Sequence, residues 1–528
     1  NPGNFGFVNS DLALTGDLAF VGSFNGWQVY DISDPDDPVL RSSFVCPGGQ
    51  GDLSIYGHLL FMSVEETRGR IDCGTQGTTP GAPDPNRFRG VRIFDISDVD
   101  NPVQLPGVQT CRGSHTHTLV TDPNDPDNIY VYNSGTAGVR SPLELAGCEN
   151  AALTQSLVTT GNPTQWRIDV IRVPLAAPET AAIVSQPRIF TDPATGAFNG
   201  LQNTLPGAQH PSGTNYGPLP NTNTCHDITA FPGIGLAAGA CQGNGVLLDI
   251  SDPANPVRID EVSDPNFSYW HSATFSNDGT KVIFTDEWGG GTSPRCRATD
   301  QLSWGANAIF DIVGGQMEFR SYWKLPVVQT TQENCVAHNG NILPVPGRDI
   351  LSQAWYQGGH ALIDFTDSAN PKEIAFYDRG PINVPSPNGL NLGGFWSTYW
   401  YNGRTFGSEI ARGFDVFRYT PTAQLSSNEI TAASEPVLAE LNAQLQSEIV
   451  HAPSFAVVRS HLDQLVRAEA IPNKKLAQTT KFIDRAERFS QGKQVNAVSD
   501  QLNAAADNLV GPQYAALRQA LRDLAAMY

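Results

Sequence analysis

The phrase VYDISDPDDPV (29–39) returns as IFDISDVDNPV (93–103), LLDISDPANPV (247–257) and LIDFTDSANPK (362–372). A chain that rewrites one strand-and-turn phrase is building one supersecondary unit several times over. Each copy closes a strand and enters a turn in which Pro sets φ and Asp bonds nearby backbone. The clearest unit, DLALTGDLAFVGSFNGWQVYDIS (11–33), reads as strand, TGD turn, strand, small-residue turn and strand, with a fourth strand near VLRSSFV. Four strands per repeat is the pattern of a propeller blade.

Seven such units are legible, near 8–47, 50–110, 115–192, 224–263, 269–326, 335–380 and 394–420. The third, fifth and seventh carry degenerate versions of the phrase: IDVIRVPLAAPE, AIFDIVGGQMEF and GFDVFRYTP. Long polar, Gly-rich insertions at 66–88, 134–165, 193–223 and 289–305 belong on a blade face, where they can roof a site. From about residue 425 the composition turns to Ala, Leu, Gln and Glu. EPVLAELNAQLQSEIV (435–450) spaces Val437, Leu438, Leu441 and Ile449 as on a helix, and RSHLDQLVRAEAI, KKLAQTTKFIDRAERFSQG and PQYAALRQALRDLAAM continue the pattern. The expected architecture is an all-β seven-bladed β-propeller over 1–422, followed by a small all-α C-terminal helical domain over 423–528.

Four histidines, His117, His226, His271 and His338, open the first strand of units three to six. In a propeller that strand lines the central channel, so matching positions in consecutive blades face one axis. A single histidine after a turn is usually an ordinary polar residue, but four at one repeat position are not independent events. They are the candidate metal ligands. Asp52 holds the equivalent place in unit two and Ser397 in unit seven. Imidazole suits copper, iron or zinc, and Glu287 and Glu409, which end second strands near the same mouth, could orient the rings. His115 lies two residues before His117 and is read as a fifth ligand or a proton carrier; with Glu287 it is a candidate catalytic group. His360 starts a third strand and is expected to be structural. His58, His210, His451 and His461 fall outside the alignment and are expected at the surface.

The net charge of −20 over 528 residues excludes the phosphate backbone of a nucleic acid and an anionic membrane as partners. No apolar run of about 18 residues exists to span a membrane, and the opening NPGNFGF is read as a mature terminus after signal-peptide removal. Eight cysteines without a CxxC pair point to disulfides in an oxidising compartment. Of the 105 connectivities this count allows, only Cys225–Cys241, bracketing a hairpin at FPGIG, is legible. GxSxG, Walker and HExxH motifs are absent. The acidic turns lack EF-hand spacing and are read as solvated. Aromatic segments such as SYWHS (268–272) and FWSTYWY (395–401) serve either a substrate pocket or inter-blade packing.

The recurring DISDPxxP phrase resembles the LVIVD-repeat family of secreted bacterial propellers over roughly residues 10–420. That resemblance implies the fold and an extracellular or cell-envelope location, but no activity. The histidine-ringed channel is similar to that of selenium-binding proteins and methanethiol oxidases, which use copper, and to carotenoid-cleaving oxygenases, in which four histidines hold iron. The helical tail resembles FIMAH-type modules of secreted bacterial proteins. Together these imply a secreted copper- or iron-dependent oxidoreductase acting on a small molecule. Two other readings use the same residues: a zinc hydrolase, and a non-catalytic binding or surface-assembly protein with a structural metal. In the last, the C-terminal helices attach to a cell surface, a polymer or another subunit.

Overall fold

The computed structural model describes residues 8–528 except 82, 152–156, 202–209, 211, 213–221, 383–392 and 493. Seven antiparallel sheets form the blades of a β-propeller. Their innermost strands are Asn9–Thr15, Leu53–Tyr56, His117–Val120, Asp227–Phe231, Trp270–Phe275, Gly340–Leu343 and Phe395–Tyr401. Blades 2 to 6 are four-stranded, and blade 7 has three strands. The opening NPGNFGF and much of the 193–223 insertion lie outside the described residues.

The repeated phrase explains itself locally. In each copy the first Asp accepts the amide of the residue two positions on: Ser33 on Asp31 (2.9 Å), Ser97 on Asp95 (2.8 Å), Ser251 on Asp249 (2.8 Å) and Thr366 on Asp364 (3.0 Å). The next Asp does the same, with Asp36 on Asp34 and Asp100 on Asp98 both at 3.1 Å. Two successive Asx turns thus carry the chain from the third strand to the fourth. The acidic turns are occupied by their own backbone. Third strands start on Gly where a side chain cannot fit: a Cβ at Gly26 (φ +137°) would stand 1.9 Å from the Phe44 carbonyl oxygen, and one at Gly90 (φ +145°) 2.1 Å from that of Val108.

The blades bury a series of apolar layers between neighbouring sheets, such as Phe20, Trp27, Leu60 and Phe94 between blades 1 and 2. Four disulfides staple the structure: Cys46–Cys73, Cys111–Cys148, Cys225–Cys241 and Cys296–Cys335. The hairpin pair expected from the sequence is among them. Among the described residues no helix is long and apolar enough to cross a membrane.

The C-terminal region contains helices Ser427–Ala433, Phe455–Arg467, Asn473–Gln491, Val495–Asp507 and Ala515–Ala526. The last four share a core that includes Val458, Ile483, Leu502 and Leu521. The expected helix over 435–450 does not form. Instead Glu440–Asn442 pairs with the innermost strand of blade 1, and the chain runs on as an extended strap. Asn442 bonds both the amide and the carbonyl of Ile55 (2.7 Å each) in blade 2, and Ala230 of blade 4 bonds the backbone of Gln444 and Gln446 (2.8 Å each). Gln446 brackets Phe275 and Asn277 brackets Ile449 in blade 5. The strap crosses the channel at the strand ends opposite the histidines. Its apolar residues face not a helix partner but the blades, Leu441 against blades 1 and 7 and Leu445 against blades 2 and 3.

Candidate metal centre

The site lies at the mouth where innermost strands begin. Ladder irregularities occur there in three blades, between Asn9 and Leu12, Trp270 and Ala273, and Phe395 and Ser397. Such breaks re-aim side chains out of the strand alternation, and Asp11, His271 and Trp396 occupy them. His226 follows Cys225, whose disulfide to Cys241 ties the strand start to its neighbour, and its amide bonds the Ala240 carbonyl (2.8 Å). Glu287 follows the second strand of blade 5, its amide bonded to the Tyr269 carbonyl (3.0 Å).

Four imidazoles form a continuous row. Ring centroids are 4.2 Å apart for His115 and His226, 4.0 Å for His226 and His271, and 4.4 Å for His271 and His338. Ligand atoms of His226, His271 and Glu287 all lie within 4.8 Å of one another. The Glu287 carboxylate faces Nε2 of His271 at 3.8 Å and Nε2 of His338 at 3.7 Å. It also accepts a hydrogen bond from the Tyr356 hydroxyl (2.6 Å). Nδ1 of His338 meets the Trp396 carbonyl, and Nδ1 of His226 meets Asp227 Oδ1 at 2.9 Å. Those contacts assign the proton to Nδ1 and present Nε2 as the lone-pair atom, the arrangement found around metal-ligating histidines. Among the described residues the buried Nε2 atoms of His115 and His338 have no hydrogen-bond partner.

The electrostatics agree with this assignment. Burial, then the neighbouring imidazoles of His226, His338 and His115, hold His271 well below the usual histidine range. Burial lowers His338 to about 3. Both are neutral, as a metal requires of its ligands. Burial raises the Glu287 carboxyl, partly countered by His226 and Tyr356. His115 is the exception. Burial alone would depress it, but Glu65, bonded to its Nδ1 at 2.7 Å, together with Asp227 and Glu287, lifts it to about 9.

Of the candidates read from the sequence, His226, His271, His338, His115 and Glu287 are therefore brought together. His117 is not in the row. Its Nδ1 faces Ser63 (2.8 Å) and Asp52 (3.1 Å), and its ring lies 6.3 Å from Phe61, between blades 2 and 3. The place expected for His117 is taken by His115, which precedes the strand and is free to bend toward the axis. Glu409 receives the amides of Gly394 (2.7 Å), Ala411 (2.9 Å) and Arg412 and braces blade 7. Ser397 bonds Asp11. His360 is buried, stacked on Phe417 and bonded to Thr398 (3.0 Å) and Tyr419 (2.9 Å).

His210, expected at the surface, is 1% exposed. It stacks on Trp288 and bonds the Asn266 carbonyl (2.9 Å), because aromatic side chains from the site wall enclose it. His451 and His461 are half-buried, while His58 is exposed. Glu65, Asp227 and Tyr356 are site residues that sequence reasoning missed. Glu65 was findable, since it follows the second strand of blade 2 as Glu287 follows that of blade 5.

The LVIVD repeat family matches residues 9–45. This is the first blade, the best-preserved unit of the sequence. No curated protein matches the chain. Among solved structures, a periplasmic gluconolactonase of Pseudomonas aeruginosa is similar at 12% identity and a TM-score of 0.45, over 78% of this chain and 93% of that one. Hydrazine synthase of Kuenenia stuttgartiensis is similar at 10% identity and a TM-score of 0.44, over 77% and 93%. At these scores and identities the likeness carries no functional inference.

Proposed function

We propose that this protein is a secreted metalloprotein whose centre is built from His226, His271 and Glu287, with His338 as an additional ligand, and that it acts as an iron-dependent oxidoreductase on a small molecule. The observation that carries the reading is the convergence of two imidazoles and one carboxylate within 4.8 Å. Two histidines with one carboxylate is the donor set of non-haem iron(II) oxygenases, so it moves the balance from copper toward iron. The unpartnered Nε2 atom of His338 fits such a site, since buried polar atoms otherwise find partners.

A bound iron would supply redox chemistry and Lewis acidity. The protein's part is to orient and to move protons. Tyr356 holds Glu287 by its hydroxyl. His115, protonated against Glu65, carries a proton beside His226 and is the candidate general acid. The same donor set also occurs in hydrolytic zinc sites, which keeps a zinc hydrolase as the second reading. Four disulfides support an extracellular or periplasmic location.

The test is metal analysis after stripping and anaerobic reloading with iron(II), zinc(II) or copper(II). One equivalent of iron is expected in the wild type and none in His271→Ala or Glu287→Gln, with His117→Ala still loading. Nitric oxide binding to the iron-loaded protein, read by electron paramagnetic resonance, reports an open coordination position. Failure to take up any of the three metals would refute the centre. Uptake of zinc alone would replace the oxidoreductase by the hydrolase, and iron that binds no nitric oxide would mark a closed, structural site.

A further inference from the structure

His226 and His271 also line a narrow enclosed cavity whose other walls have a different chemistry. Its walls include Ser10, Asp11, Gln50, Asp52, Asp227 and Asn339, each from the start of an innermost strand or the loop before it. Beside the two imidazoles, the donors these walls offer are oxygens and amides. Asp11 and Asp52 are each 4% exposed and Asn339 is 7% exposed.

The partners of these groups leave a deficit. Asp11 Oδ1 accepts the Leu12 amide (2.8 Å) and the hydroxyls of Tyr399 (2.6 Å) and Ser397. Asp52 Oδ2 accepts the His117 amide (3.0 Å), but Asp52 Oδ1 is buried with no partner. Asn339 Oδ1 is likewise buried and unpartnered. Among the described residues neither Asp11 nor Asp52 forms an ion pair with Lys or Arg; His117 is the sole basic group beside Asp52. Two neighbouring carboxylates buried without a cation are costly. The strain is visible at Asp11, whose carboxyl is pushed up to about 8 by burial and by the charge of Asp52.

We propose a second cation site on the channel axis, in which Asp11, Asp52 and Asn339 bind one calcium ion. Oxygen-only donors select a hard cation over the transition metals that suit the histidine row. Two carboxylates balance a divalent charge. Ligands drawn from blades 1, 2 and 6 without octahedral preparation suit the flexible coordination of calcium better than the strict geometry of magnesium. The ion would satisfy the two orphan oxygens and neutralise the carboxylate pair, linking the first blades to the sixth across the channel. The site adjoins the histidine row, since His226 and His271 line the same cavity, but its oxygen donors are not among the ligands proposed there.

The test is calorimetric titration of chelator-stripped full-length protein with calcium chloride and, separately, magnesium chloride. One calcium per chain is expected, with a rise in unfolding temperature on binding. Asp11→Asn should weaken calcium binding by more than about tenfold, since affinity follows ligand charge. The same variant should leave transition-metal uptake at the wild-type level. Asn339→Asp, which retains an oxygen donor, should still bind calcium. No calcium binding at millimolar concentration overturns the proposal. So does binding that Asp11→Asn leaves unchanged, or a site that takes magnesium in preference.

Discussion

The strap across the channel makes one side chain unusually consequential. Asn442 is 6% exposed, and its amide donates to the Ile55 carbonyl and accepts the Ile55 amide, each at 2.7 Å. Ile55 itself is fully buried. In Asn442→Ala both backbone groups of Ile55 lose their partners in a place closed to water. An unsatisfied buried donor or acceptor costs about 1–3 kcal/mol, so the pair should cost about 2–6 kcal/mol. The loss should appear locally before it appears globally, because a chain with two modules need not unfold in one step. Hydrogen exchange read by mass spectrometry should show faster exchange over Leu53–Tyr56 and the strap, with the helices beyond Phe455 unchanged. Gln446→Ala, which is less buried, should show the same effect at Phe275 but more weakly. If Asn442→Ala leaves exchange over Leu53–Tyr56 as in the wild type, the strap is not held by these bonds and the reasoning fails.

Three further outcomes follow from the packing. Glu429 is fully buried between Arg348 (2.9 Å) and Arg467, so Glu429→Ala should cost about 3–5 kcal/mol and expose the junction at 418–426 to limited proteolysis. Burial lowers His360 to about 4 from its ordinary 6.5, so its neutral form favours folding. That contribution is whole above pH 6.5 and fades as pH falls toward 4, by about 3 kcal/mol in all; urea unfolding should show the wild type losing that much more than His360→Gln over this interval. Cys241→Ser releases the strand start that carries His226 and should weaken metal retention, read by competition with a chelator, while His338 keeps its contact with Trp396.

Much of the fold was legible because its information is local. The DISDP phrase is a pair of Asx turns, and a turn made by its own side chains reads the same in any context. Seven such units demand closure, since each sheet needs a neighbour on both faces. The positions of His226, His271, His338 and Glu287 followed from the same repeat logic. His117 shows where that logic stops. The repeat marks which residue opens a strand, but not whether it or the loop residue before it bends inward; contacts with Asp52 and Ser63 hold His117 away, and His115 takes the axis. The strap shows the same limit more strongly. Val437, Leu438 and Leu441 have helical spacing, yet Pro436 precedes them and unpaired backbone at the bottoms of several blades offers Asn442 and Gln446 better partners than a helix would. The sequence by itself determined the blades, their number and the mouth at which the histidines gather. Only the tertiary structure decided which imidazoles meet, which oxygens are left without partners and what closes the far end, because each depends on groups that residues distant in the chain supply.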